Sequence, residues 1–230
     1  MEKTLHIAIG IPSLDMWHAD FAMSLIGLVT DLKQVPVPGF DGVRVSIINQ
    51  RSSAIPQLRQ QITEEAQKIE ANYILWVDSD QMFPKDTARR LIAHDKDVIG
   101  CNIAVKRLPS LPTARKYVEQ WPLTGDIVYT KPESTGIEKV WKLGCGVMLV
   151  KMSVFDRLKK PYFNFGWNET TGFVGEDWFF CSQLWDNNIE LYIDHDLSKE
   201  IGHIGVYSHR MEDVDHTETL IKIVRPDDKT

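Results

Sequence analysis

The sequence predicts an α/β protein with a Rossmann-like, mixed but mostly parallel sheet flanked by helices. Three observations lead there. Short apolar runs alternate with segments of helical periodicity from the start of the chain. One run, Tyr73-Ile74-Leu75-Trp76-Val77, is apolar without interruption, as a strand buried on both faces requires. And 230 residues, 43% of them hydrophobic and 25% charged, suffice for a large core without disulfides or a structural metal.

The elements follow in order. Leu5, Ile7, Ile9 and Ile11 alternate along a first strand that ends at Pro12. From about residue 16 to 32, Phe21, Leu25, Leu28, Val29 and Leu32 recur at helical spacing. Pro36, Pro38 and Gly39 break the chain before a second strand over 43–48. Ser52 or Ser53 is placed to cap the next helix, whose first turn tolerates Pro56. Its apolar stripe is Ile55, Leu58, Ile62, Ala66 and Ile69. The run 73–77 is the third strand; a helix follows Pro84, and a fourth strand spans 97–103. This order implies parallel pairing with right-handed crossovers. Residues 105–139, rich in Pro, Lys and Arg, read as loops or a short hairpin. A glycine-containing strand over 140–150, a short helix over 153–158, a longer helix over 176–187 and a last strand over 189–193 complete the pattern. Residues 1–206 form one domain, and the polar, acidic segment 207–230 is a tail that is either a lid or disordered.

Composition narrows the function. Cys101, Cys145 and Cys181 are widely spaced, which favours reduced thiols over a disulfide framework or a zinc ribbon. No apolar run reaches the about 18 residues of a membrane span, and the start lacks the apolar core of a signal peptide. A soluble, cytoplasmic protein is the expectation. The net charge of −6 argues against a generic polyanion binder, but it is uneven. Residues 101–160 carry 11 basic and 5 acidic side chains, whereas 161–230 carry 5 and 14. The G-x-x-x-x-G-K-[ST] and G-x-G-x-x-G phosphate loops are both missing.

Three motifs carry chemistry. Asp78-Ser79-Asp80 follows the buried third strand, where open α/β sheets bind ligands. Two carboxylates in that D-x-D spacing suit a hard cation such as Mg²⁺ or Mn²⁺, with phosphate oxygens completing the shell. The plain alternative is a surface turn whose aspartates cap the next helix. Gly175-Glu176-Asp177-Trp178 opens a helix, where acids are favoured by the dipole in any case and are also placed to act as a general base. Gly202-His203-Ile204-Gly205 sets a histidine between glycines late in the chain, with His195, His209 and His216 as competitors.

In order and spacing these features resemble the GT-A-fold nucleotide-sugar glycosyltransferases, most nearly the inverting family-2-like type found among bacteriophage-encoded enzymes. The resemblance covers roughly residues 4–206. It also rests on Ile11-Pro12, on the second helix with Arg59, and on Lys142-Leu143-Gly144-Cys145-Gly146. It implies that Asp78 faces the nucleoside and that Asp80 and His203 bind the metal. Asp177 becomes the base that deprotonates the acceptor hydroxyl, and Glu176 orients the acceptor or its loop. Ile11, Pro12, Arg51, Arg59 and Ser79 would line the nucleotide pocket, and Lys106 or Arg107 would steady the leaving phosphate. Gly144, Cys145 and Gly146 would form the floor beneath the transferred sugar. The implied donor is a nucleoside-diphosphate sugar, with UDP as the default. One departure is Gln60, where the family usually has Asn after the arginine.

The acceptor stays open. A hydroxymethylated pyrimidine in DNA suits the basic stretch with Lys106, Arg107, Arg115 and Lys116, and it would need base flipping and salt-sensitive binding. A saccharide, lipid-linked or protein hydroxyl is the alternative. Trp121, Trp167 and Trp178 are candidates for stacking on a sugar or base. Two rival readings are a metal-dependent phosphohydrolase and a nucleotide-sugar-binding module without catalysis.

Overall fold

The computed structural model describes residues 3–107, 109–119, 125–169, 172–205 and 208–214. Its centre is a seven-stranded sheet of β1 (Thr4–Ser13), β2 (Gly42–Arg51), β3 (Tyr73–Val77), β4 (Val98–Gly100), β5 (Ile137–Val140), β6 (Val147–Lys151) and β7 (Leu191–Asp194). The spatial order is β2-β1-β3-β6-β4-β7-β5. β1 pairs in parallel with β2 and β3, and β4 with β7. β6 runs antiparallel between β3 and β4, and β5 runs antiparallel on the edge beyond β7. Five of the seven strands thus share one direction.

Helices α1 (Ala19–Gln34) and α3 (Thr87–Ala93) cover one face; α2 (Ile55–Lys68) and α4 (Glu176–Asp186) cover the other. The period of two in β1 and β3 builds both layers. Leu5, Ile7, Ile9, Leu75 and Val77 meet Phe21, Leu25 and Leu91, while Ile74 and Trp76 meet Ile62, Ala66 and Phe180 on the opposite side. Gly10 lets α2 come close, since a Cβ there would lie 2.9 Å from both Ile62 and Trp76.

Several expected boundaries move for local reasons. The fourth strand is shorter than 97–103, because the Asn102 and Ile103 amides turn away to Ser198 Oγ (2.8 Å) and Thr113 Oγ1 (3.3 Å). It is not the neighbour of β3, since β6 intervenes. The single strand expected over 140–150 is two strands, β5 and β6, separated by residues 141–146. A Cβ at Gly146 would approach Ile103 to 2.8 Å. Ala54 takes the N-cap position of α2, with Ser52 Oγ accepting from its amide at 3.1 Å. The segment expected at 153–158 is the 3-10 helix Met152–Arg157. Unforeseen elements are α5 (His195–Ser198), the hairpin of Gly166–Asn168 with Gly172–Val174, and a three-stranded sheet of Gln81–Met82, Gly202–Ile204 and Ser208–His209. Within 105–139, Arg115–Lys116 pairs with Asp126–Ile127. Of the tail, Met211 and Val214 pack on Ala104, and residues 215–230 lie outside the described residues. Among the described residues no helix is long and apolar enough to cross a membrane.

Candidate active site

A βα topology places helix N-termini beside the carboxyl ends of the strands that precede them, and here several gather at one place. His18 at the cap of α1, Ile55 at the start of α2 and Glu176 at the start of α4 border one cavity of about 420 Å³. Pro12, Ser13, Leu14, Met16, Arg59, Asp78, Ser79, Asp80 and Lys106 complete its wall. That volume is within the range of small-molecule sites.

Arg59 is the hub of its inner wall. The side chain is 3% exposed and stacks over Trp76 at 5.2 Å. Nη2 donates to Asp78 Oδ1 at 2.8 Å and Nε to Glu176 Oε1 at 3.3 Å, while buried Nη1 has no acceptor. Burial works against the guanidinium's charge, but the acids around it, Asp78 foremost, outweigh that and hold its pKa above normal. One buried cation therefore ties the D-x-D turn to the first turn of α4, 117 residues away in sequence.

Asp80 is organised differently. Ile204 donates its amide to the Asp80 carbonyl (2.7 Å), and Gly202–Ile204 pairs with Gln81–Met82. That small sheet brings His203 to Asp80, with Nε2 3.5 Å from Oδ2. The His203 Nδ1–H donates to the Ala104 carbonyl at 2.8 Å, so Nε2 is the nitrogen left to face Asp80. Lys106 also forms an ion pair with Asp80 Oδ2. Burial raises the Asp80 pKa, but His203 and Lys106 outweigh it and hold the carboxyl well below the usual range. A hard divalent cation suits this donor set, a carboxylate oxygen beside an imidazole nitrogen whose partner nitrogen is already committed. Among the described residues no cluster of three His, Cys, Asp or Glu side chains forms, so further ligands would come from phosphate or water.

Asp177 stands apart from both arrangements. Its Oδ1 accepts from the Trp178 amide at 2.7 Å, and no lysine, arginine or histidine closes an ion pair with it among the described residues. Burial and the neighbouring Glu176 charge raise its pKa to about 6. Gly175 leaves the space it needs, because a Cβ there would stand 3.0 Å from Asp177 Oδ1.

The remaining candidates divide. Ile11 is buried in β1 behind Pro12, and Ser79 lies on the cavity wall. Arg51 is at the exposed end of β2, and Arg107 is exposed; neither lines the cavity. Gly144, Cys145 and Gly146 are close-packed. A Cβ on Gly144 would meet Thr113 at 3.2 Å, one on Gly146 would stand 3.4 Å from Asp78 Oδ2, and Cys145 is buried. Gln60 does not line the cavity; its Oε1 accepts from the Tyr162 amide at 2.8 Å. His195 is held in the interior by Thr130 (2.9 Å) and Glu138 (2.8 Å). Trp167 is 71% exposed on the hairpin before α4. Trp178 is approached by two cations, Arg115 at 5.9 Å and Lys142 at 4.7 Å from its ring centre. Trp121 and His216 lie outside the described residues. Leu14, Met16 and His18 were not singled out from the sequence, and Lys142 appeared there only as the first residue of the 142–146 run. The loop between the first strand and helix was the available signal for the first three, by the rule that ligands sit beyond strand ends.

No protein-family model and no curated protein matches the sequence. Among solved structures, A197 from STIV is similar at a TM-score of 0.59 and 14% identity, covering 96% of this chain and 100% of A197. The 1–349 fragment of S. aureus TarS, solved with UDP-GlcNAc, is similar at a TM-score of 0.47 and 14% identity. There the match covers 92% of this chain and 61% of the fragment. The chain therefore has the α/β fold of A197, with the mixed, mostly parallel sheet that the sequence predicts.

Proposed function

We propose that the protein is a glycosyltransferase that moves a sugar from a nucleoside-diphosphate sugar to an acceptor hydroxyl, with Mn²⁺ or Mg²⁺ at Asp80 and His203 and with inversion at the anomeric carbon. The observation that carries this reading is the convergence of Asp78, Asp80 and Glu176 on one cavity at the carboxyl ends of the strands, with Asp177 the next residue in the same helix turn. The likeness to A197 supports the fold; the activity is argued from the site.

Each residue has a part that its surroundings suit. Arg59 fixes Asp78 through Oδ1, leaving Oδ2 to accept from nucleoside hydroxyls. The positive start of α1, at His18 on the cavity wall, favours the diphosphate, with Lys106 close by. A divalent ion at Asp80 and His203 would offset the charge that builds on the departing diphosphate. Asp177, without a counter-ion and with a pKa near 6, takes the acceptor's proton as the new bond forms. Glu176 is engaged by Arg59, so its part is to hold the turn that aims Asp177. Inversion follows if the base stands across the sugar from the leaving group. Uridine is the default donor base.

The basic stretch gives DNA little support as acceptor. Lys106 is paired with Asp80 and Lys116 with Glu138, and Arg115 caps the Pro112 and Ala114 carbonyls. The phosphohydrolase reading needs a free aspartate nucleophile, and Asp78 is bound to Arg59.

The test is to incubate UDP-, GDP-, CDP- and ADP-sugars with Mn²⁺ and follow release of the nucleoside diphosphate, for the wild type and Asp177→Asn. The reading predicts release from one nucleobase class by the wild type. Inorganic phosphate as the product would identify a phosphohydrolase. No release from any donor would leave a binding module.

A further inference from the structure

A second cavity, of about 340 Å³, lies at the opposite end of α4 from Glu176. Cys181, Leu184 and Trp185 face it from the helix, at the spacing of neighbours on one helical face. Val140 at the end of β5 and Leu191 at the start of β7, which are paired, add to its apolar floor. The 11 residues of α4 make a helix about 16 Å long, with Glu176 on the first cavity at its start and Trp185 on this one near its end. Among the described residues the two cavities share no lining side chain.

Two indoles wall the second cavity. The Trp141 and Trp185 rings stand 6.4 Å apart at 76°. Tyr117 stacks on Trp185 at 4.8 Å and 24° and meets Trp141 edge-on at 5.5 Å, so each ring is held by the other two. Yet Trp185 is 44% and Tyr117 48% exposed. Clustered aromatic surface left in water marks a place where something binds. The Trp141 Nε1–H is buried with no acceptor among the described residues, whereas a buried indole N–H usually has one.

The polar side chains around these rings are neutral as a group. Lys139 Nζ donates to Glu190 Oε1 at 2.8 Å, and the Tyr192 hydroxyl donates to Oε2 at 2.6 Å, so both oxygens of that carboxylate are engaged. Asn188 adds a carboxamide that can donate and accept. An ionic ligand would find no free countercharge here, and a wholly apolar one would leave these hydrogen-bonding groups facing hydrocarbon. The wall suits a neutral molecule with an apolar face for an indole and a hydroxyl-bearing edge. A pyranose ring has that form: its C–H bonds lie on the ring face and its hydroxyls point around the rim.

We propose that this cavity is a non-catalytic binding site for a neutral saccharide, with Trp185 as the platform on which a sugar ring stacks. Tyr117 holds that platform in place, and Trp141 forms the adjoining wall. The site is independent of Asp78, Asp80 and Asp177, and it stands whether or not the transferase reading does.

The experiment titrates neutral trisaccharides of glucose, N-acetylglucosamine, mannose and galactose by calorimetry. The proteins are the wild type, Trp185→Ala, Trp185→Phe, which keeps a ring, and Asp80→Ala, which alters only the first cavity. The expected result is that at least one trisaccharide binds the wild type and Asp80→Ala equally. It should bind Trp185→Ala about tenfold more weakly or worse, and Trp185→Phe should recover most of the loss. Binding of no trisaccharide to the wild type, or equal binding by Trp185→Ala, would overturn the proposal. Loss of binding in Asp80→Ala would place the sugar in the first cavity and overturn it as well. Sedimentation of the wild type and Trp185→Ala covers the remaining occupant: a dimer that Trp185→Ala dissolves would make the three rings a contact between two copies of the chain, not a sugar site. UDP binding with Mn²⁺, measured on the same samples, reports on the transferase reading separately.

Discussion

The two sides of the first turn of α4 are built on opposite electrostatic principles. On the cavity side every acid has a cation: Asp78 and Glu176 share Arg59, and Asp80 has Lys106 and His203. On the other side the partly buried Asp177 closes no ion pair among the described residues. The pairing fixes these carboxylates in position, although burial, outweighing Arg59, raises the Asp78 pKa. A carboxylate without a counter-ion keeps its pKa near working pH, as proton transfer requires. One helix start separates the paired acids from the unpaired one.

The largest effect should come from removing the unpaired acid. Asp177→Asn is expected to lower transfer about 10²–10⁴-fold, the usual worth of a positioned base, with UDP affinity unchanged. Steady-state rates and calorimetry on the same preparation check this, and joint loss of both would mark Asp177 as structural. Breaking the paired side should register in stability instead. Arg59→Met leaves Asp78 and Glu176 without their cation, and the expected loss is about 2–3 kcal/mol in urea unfolding. That is below the usual figure for a fully buried pair because both acids are partly exposed.

The pH profile sharpens the contrast. Asp177 acts as a base only when ionised, and its pKa is raised to about 6, so turnover should rise with pH through about 6 and then level off. Glu176→Gln removes a neighbouring negative charge that contributes to that rise, so the acid limb should move to lower pH. An unmoved limb would assign it to another group. The smallest effect is expected at Arg51, on the exposed end of β2 away from the cavity. Arg51→Ala should leave UDP affinity unchanged and stability within about 0.5 kcal/mol.

How far this was legible in the sequence depends on the range of the interaction. The alternation of Leu5, Ile7, Ile9 and Ile11 and the unbroken run 73–77 specified β1 and β3, because burial of a strand is written in its own residues. The place of β6 between β3 and β4 was not legible, since antiparallel insertion depends on a return of the chain that no local pattern encodes. Asp78 and Asp80 were visible as a motif after a buried strand. That His203 and not His195 approaches Asp80 depends on a two-residue pairing with Gln81–Met82, too short to leave a periodicity. Lys142 was quoted only as the neighbour of a glycine turn, because its place beside the Trp141 and Trp178 rings is made by folding.

The central claim is that Asp78 and Asp80 form a metal-dependent nucleotide site, and calorimetric titration tests it most directly. UDP, GDP, CDP and ADP would be titrated with and without Mn²⁺ into the wild type and Asp80→Ala. The expected result is that one nucleotide, UDP by default, binds the wild type only with Mn²⁺ and does not bind Asp80→Ala. Binding of none of the four, or equal binding by Asp80→Ala, would contradict it and leave Asp78-Ser79-Asp80 as a structural turn.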